Sequence, residues 1–191
     1  MKIGVLALQG AFREHAEAFA ALDADVALVK RPEQLAGIDA IVLPGGESTT
    51  IDKLLDSAEL RGPLTERLRD GLPAFATCAG LILCARTVVD GRADQRPLQL
   101  LDVSVRRNGY GRQRESFEAP LAVRDLAGGP FPGVFIRAPV VEAAGANVDV
   151  LAEHEGVPVL GREARIWFAS FHPELAGDLR LHQRFLTEVR G

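Results

Sequence analysis

Cys78 is the residue best placed for covalent chemistry in this chain. It ends the apolar run Pro73-Ala74-Phe75-Ala76-Thr77, and the small pair Ala79-Gly80 follows before Leu81-Ile82-Leu83 resumes. The pattern predicts a buried strand, a tight turn and a helix, with the cysteine at the turn. Such an elbow exposes its side chain at the sheet edge, as it does for the serine of a nucleophile elbow. The thiol would also sit at a helix N-terminus, where free backbone N–H groups favour thiolate. Those N–H groups, beginning with Ala79, can receive an oxyanion. On this stretch alone a small buried hydrophobe, the usual role of a free cysteine, reads equally well.

A cysteine nucleophile needs a base, and the base needs a group to orient it. Of the four histidines, His172 follows the apolar run Ile166-Trp167-Phe168-Ala169-Ser170-Phe171 and precedes Pro173-Glu174. That places it at the end of a strand, with Glu174 close enough to orient the ring if the proline turn brings it round. His15 falls within the first helix, on its polar side. His154 sits beside a hairpin turn and His182 lies within the last helix. None of these three is expected at a strand end. Cys84 is read as core, and Lys53 and Arg86 as solvated.

The elements that must position these side chains alternate through the first half. Strands are predicted over residues 2–8, 26–29, 40–43 and 74–77, and helices over 11–22, 49–58 and 63–69, with a short helical turn at 32–36. Alternation of this kind implies a mostly parallel central sheet flanked by helices, a three-layer α/β fold. After about residue 87 the pattern changes. Residues 90–97 are polar and read as a loop. Strands are then expected over 100–106, 116–123, 133–137, 148–153, 157–160 and 165–171, antiparallel or mixed, with a closing helix over 179–189. Ligands of an open parallel sheet sit at the carboxyl ends of its strands. Three loops fall there: Gln9-Gly10, Pro44-Gly45-Gly46-Glu47-Ser48 and Cys78. Paired glycines let backbone N–H groups point at a ligand, so Gly46 is a second oxyanion donor beside Ala79. An ordinary glycine turn with Ser48 capping the next helix is compatible with that role. The Gly-Lys-Ser/Thr ending of a phosphate loop is missing.

The bulk composition narrows the class. The chain has 191 residues, 47% hydrophobic and 25% charged, with a formal net charge of -4. That is globular composition, most simply one domain spanning 1–191, with no electrostatic footprint for nucleic acid. No stretch approaches the length of a membrane span, and the apolar start is too short for a signal segment. Two cysteines without metal-ligand spacing suggest neither a disulfide framework nor a metal site. The expected compartment is the cytoplasm.

A cysteine elbow with a late His-x-Glu resembles the triad, or class I, glutamine amidotransferases. More narrowly, Gly4-Val5-Leu6-Ala7-Leu8-Gln9-Gly10-Ala11, Arg13-Glu14-His15, Leu43-Pro44-Gly45-Gly46-Glu47-Ser48-Thr49-Thr50, Thr77-Cys78-Ala79-Gly80-Leu81, Arg107-Asn108, Gly111-Arg112-Gln113, Gly133-Val134-Phe135-Ile136-Arg137-Ala138-Pro139 and Ser170-Phe171-His172-Pro173-Glu174-Leu175 are similar to the glutaminase subunits of pyridoxal 5'-phosphate synthase. The resemblance runs through nearly the whole chain in family order. It departs at Ala76, where the family usually has glycine and where a methyl crowds the elbow. The 90–97 loop is also poorly matched. The resemblance implies Cys78, His172 and Glu174 as catalytic triad, Gly46 and Ala79 as oxyanion donors, and Gly46, Glu47, Ser48, Arg107, Ile136 and Arg137 around L-glutamine. It implies no cofactor. It also implies ammonia transfer to a (β/α)-barrel synthase subunit in a hetero-oligomeric complex, with Gln9 and Gly10 in the partner and ammonia-transfer region. Two rivals remain at this stage: another cysteine enzyme on the same fold, and a non-catalytic protein that kept it.

Overall fold

The computed structural model describes residues 1–107, 109 and 116–191. The matched residues Asn108, Gly111, Arg112 and Gln113 lie outside the described residues. Strands β1 (Lys2–Leu6), β2 (Asp25–Val29), β3 (Ala40–Leu43) and β4 (Ala74–Thr77) alternate with helices α1 (Phe12–Ala20), α2 (Ser48–Ser57) and α3 (Arg61–Arg69). The short helix α4 (Ala79–Cys84) follows β4 directly. Then come β5 (Ala85–Val88), β6 (Leu101–Arg106), β7 (Ser116–Leu121), β8 (Phe131–Ile136), β9 (Val140–Ala144), β10 (Asp149–His154), β11 (Val157–Glu163) and β12 (Ile166–Ala169). Helix α5 (Arg180–Arg190) closes the chain.

Among the described residues the main sheet has seven strands in the order β10-β11-β12-β4-β3-β1-β2. The five from β12 to β2 are parallel, and β11 and β10 add on antiparallel. The parallel strands β3, β4 and β12 are short and buried throughout, and β1 nearly so, so each reads as a continuous apolar run rather than an alternating one, while the edge strand β2 is partly exposed. Their side chains still alternate. Ile3, Val5, Val42, Phe75 and Trp167 point into one core with Phe19 of α1 and Phe185 of α5. Leu6, Ile41, Leu43, Ala76 and Phe168 point into the other with residues of α2, α3 and α4. These are the three layers that alternation of strands and helices implied. A small sheet β5-β6-β9 packs on the second core, and the hairpin pair β7-β8 packs on the first.

Two strands lie where none was expected, β5 and β9, and both pair with β6. The 90–97 segment is a loop as expected. Ala76, fully buried, faces the α4 side and pairs with Leu43 and Phe168. Its methyl is absorbed by that core, and the turn after it still forms.

Candidate active site

Parallel pairing brings the site together. Thr77 at the end of β4 lies opposite Ala169 at the end of β12, and the Cys78 N–H still donates to the Ala169 carbonyl (2.8 Å). Cys78 and His172 therefore leave adjacent strands in the same direction. Cys78 has φ 47° and ψ −100°, a strained conformation for a residue with a Cβ. Strain of this kind marks a side chain turned out on a strand–helix elbow. Gly80 permits it: a Cβ there would meet the Leu43 carbonyl oxygen at 2.0 Å.

After β12 the chain turns through Pro173–Leu175, a single 3-10 turn, and swings Glu174 back under His172. His172 Nδ1–H donates to Glu174 Oε1 (2.6 Å), which leaves the other ring nitrogen for Cys78. Burial alone would lower the His172 pKa. Hydrogen bonds with Cys78 and Glu174, and the charges behind them, outweigh it and raise the value to about 10. The imidazole is thus held protonated at neutral pH, ready to hand a proton to a leaving amine. Burial likewise works against the Glu174 carboxylate, but His15 and His172 together hold its pKa well below the usual range.

The Gly45-Gly46 loop at the end of β3 is clamped from both sides. The Gly45 N–H donates to Thr77 Oγ1 (3.1 Å), and the Gly45 carbonyl accepts from the Ala11 N–H (3.0 Å). A Cβ on Gly10 would meet that carbonyl at 1.9 Å, so only glycine fits there. A trans peptide turns the Gly46 N–H away from α1. Ala79 opens α4, where backbone N–H groups lack intrahelical partners. The Gln9 side chain caps the loop, with its Oε1 accepting from the Glu47 N–H (2.8 Å).

A cavity of about 270 Å³ opens above Cys78, lined by Gln9, Gly46, Glu47, Ser48, Cys78, Ile82, Arg107, Ile136, Arg137 and His172. Of these only Ile82 was not expected from the sequence. Glu174, Ala79 and Gly10, expected at the site, are not part of this lining. The N-cap of α2 is Glu47 rather than Ser48. Its carboxylate accepts from the N–H groups of Thr49 (3.3 Å) and Thr50 (2.7 Å), from both threonine hydroxyls, and from Arg107 Nη2 (3.0 Å). Burial opposes the charge, but the Thr49 and Thr50 donors prevail and bring the pKa to about 2. Ser48 instead accepts from Gln95 Nε2 (3.2 Å), and the Arg107 N–H donates to Asp90 Oδ1 (2.7 Å). The 90–97 loop therefore backs the cavity. Arg137 follows β8 directly and is exposed at the rim, with φ 44°. Lys53 and Arg86 are exposed, and Cys84 is fully buried with its thiol pushed up to about 12 by desolvation. His154 stacks near Phe117 and Phe135, away from the cavity lining.

One expectation fails. His15 is not on a polar helix face but fully buried, with Nε2 3.0 Å from Thr77 Oγ1 and 3.2 Å from Glu174 Oε2. Its other nitrogen lies 3.1 Å from His182 Nε2, so two histidines set aside in the sequence stand directly behind the triad. The signal was spacing: Phe12, His15 and Phe19 recur at helical intervals, which puts His15 on the apolar face. His182 likewise shares a face with Phe185 and Leu186.

A mostly parallel sheet that brings a cysteine elbow, a glycine loop and a late His-Pro-Glu turn to one cleft is the architecture of the class I glutamine amidotransferases. The chain belongs to the SNO glutamine amidotransferase family, whose profile matches residues 5–191. A relative from Streptomyces coelicolor, named pyridoxal 5'-phosphate synthase subunit PdxT, is 52% identical over 188 residues, covering 98% of this chain and 93% of its own. The subunit of the same name from Thermotoga neapolitana is 48% identical over 190 residues and is covered, like this chain, over 100% of its length. The crystal structure of a glutamine amidotransferase matches with a TM-score of 0.93 at 46% identity, over 99% of each chain. PurLQS from Thermotoga maritima, at 14% identity and a TM-score of 0.69, shares the fold alone.

Proposed function

We propose that this protein, acting as one glutamine amidotransferase domain over residues 1–191, hydrolyses L-glutamine to L-glutamate and ammonia and passes the ammonia to a synthase subunit that makes pyridoxal 5'-phosphate. The observation that carries the reading is the convergence of Cys78, His172 and Glu174 at the ends of adjacent parallel strands. The Cys78 sulfur, as thiolate, attacks the side-chain amide carbon of glutamine. The oxyanion that forms is received by the N–H groups of Gly46 and Ala79. His172 gives its proton to the departing ammonia and leaves a γ-glutamyl thioester. It then takes a proton from water, which attacks the thioester and releases glutamate, and the proton returns to the Cys78–His172 pair. Glu174 fixes the tautomer and orientation of the ring throughout.

Glutamine brings an α-ammonium and an α-carboxylate to the cavity. Glu47 suits the first, and the guanidinium groups of Arg107 and Arg137 suit the second. Gly46, Ser48 and Ile136 complete the wall. The partner is a (β/α)-barrel subunit in a hetero-oligomeric complex, docking beside Gln9, Gly10 and α1. No cofactor or metal takes part in the glutaminase step, and the complex works in the cytoplasm. Among the described residues no helix is long and apolar enough to cross a membrane.

The test is ammonia release from glutamine by the chain alone and with its synthase subunit, with Cys78→Ala as control. Weak activity alone, strong activity with the partner and none in the mutant is the expected result. A wild-type chain that binds its partner and stays silent would overturn the reading.

A further inference from the structure

The reaction above leaves His15 without a task. Its imidazole, fully buried on α1, stands against three groups at once: Glu174 Oε2 at 3.2 Å, Thr77 Oγ1 at 3.0 Å and His182 Nε2 at 3.1 Å. Glu174 Oε1 is occupied by His172 (2.6 Å). Glu174 Oε2 is buried and makes no well-aligned hydrogen bond among the described residues. A carboxylate oxygen facing a bare imidazole nitrogen would be repelled, so the favoured His15 tautomer carries its proton on Nε2.

The rest of the chain of contacts fits that assignment. His182 sits among the rings of Phe19 and Phe75, and burial holds its pKa down at about 3. A neutral His182 donates Nε2–H to the bare His15 Nδ1. The atom left over, His182 Nδ1, is then a lone pair without a partner, and that atom is indeed unpartnered among the described residues. Placing the proton the other way would leave a buried N–H unpaired instead of a lone pair.

We propose that His15 is a positioning residue for the triad, holding the second oxygen of Glu174 so that the carboxylate is fixed at both ends and fixes His172 in turn. The inference rests on the functional reading above. Thr77 extends the same device, since it immediately precedes Cys78 and its Oγ1 also accepts from the Gly45 N–H (3.1 Å). One imidazole thus ties the cysteine strand, the glycine loop and the carboxylate together. Groups that orient metal ligands through hydrogen bonds commonly cost about 10- to 100-fold in activity when replaced, and a loss of that order is expected for a group that orients the Glu174 carboxylate.

The experiment compares His15→Leu, which removes the donor, with His15→Gln, whose amide nitrogen reaches about as far as imidazole Nε2. In ammonia release by the complex with the synthase subunit, kcat should fall about 10- to 100-fold in His15→Leu with KM within about twofold, and His15→Gln should recover most of the loss. Alkylation of Cys78 by iodoacetamide gives a second readout that needs no glutamine. Cys84 stays silent in it, being fully buried with a thiol pushed up to about 12. At neutral pH the alkylation rate should drop in His15→Leu and return in His15→Gln.

A Phe185→Leu variant loosens the same core without touching Glu174, and its kcat should stay within about twofold of wild type. Should leucine at position 15 prevent folding, His15→Asn, whose donor falls short of Glu174, takes its place. The proposal is overturned if the donor-less variant turns over and alkylates like wild type, if His15→Gln is as poor as His15→Leu, or if Phe185→Leu falls as far. A wild-type complex that releases no ammonia while the alkylation rates still separate the variants would sink the functional reading and leave the positioning role standing.

Discussion

At the scale of single residues, the proton on His172 decides what the cleft can do. Cys78 and Glu174 hold it in place against the cost of burial and raise its pKa from 6.5 to about 10. A folded-state value above the unfolded one means that folding favours the protonated ring. That contribution is complete below 6.5 and is lost as pH rises from 6.5 to about 10. Thermal melts of wild type and His172→Gln should therefore converge between about pH 6 and pH 10, with the wild type losing its advantage. A difference in Tm that stays constant across that window would contradict the assignment. Cys78, His172 and Glu174 were legible in the sequence because each is fixed by a local feature: an elbow, a strand end and a proline turn. His15 was not. A histidine flanked by Arg13, Glu14 and Glu17 reads as solvated, and only the packing of α1 on the sheet reveals that its face is the buried one.

At the scale of elements, the site depends on how closely α4 approaches β3. Gly80 is where they meet, and a Cβ there would sit 2.0 Å from the Leu43 carbonyl oxygen, which is backbone and cannot rotate aside. Replacing a helical glycine by alanine ordinarily stabilises a helix by about 1 kcal/mol. Here overpacking should reverse the sign, and Gly80→Ala should lose about 1–3 kcal/mol in urea unfolding and displace the elbow enough to reduce activity. Stability equal to or above wild type would show that α4 is free to shift. The parallel core was readable because its strands and helices are separated by glycine, proline and polar turns. Strands β5 and β9 were not readable, for a reason of context. β5 begins at the residue after α4 ends, with no turn residue between them, and β9 ends in exposed small residues. Both owe their conformation to pairing with β6 rather than to their own pattern.

At the scale of the whole molecule, the cleft is assembled from both halves of the chain. The α/β half supplies Gln9, the glycine loop and Cys78, and the half with added strands supplies Arg107, Ile136, Arg137 and His172. The 90–97 loop joins them from behind, through Gln95 on Ser48 and Asp90 on the Arg107 backbone. No local stretch encodes that meeting, which is why Arg107, Ile136 and Arg137 of the cavity wall were read from family resemblance, and Cys78, His172 and Glu174 from the residues themselves. The central claim is covalent catalysis at one sulfur. Its most direct measurement is peptide mass spectrometry of the complex, quenched in acid during turnover of glutamine. A γ-glutamyl thioester is expected on the peptide carrying Cys78, absent in Cys78→Ala, with Cys84 unmodified. Active turnover with no adduct at Cys78, or an adduct at Cys84 instead, would contradict it.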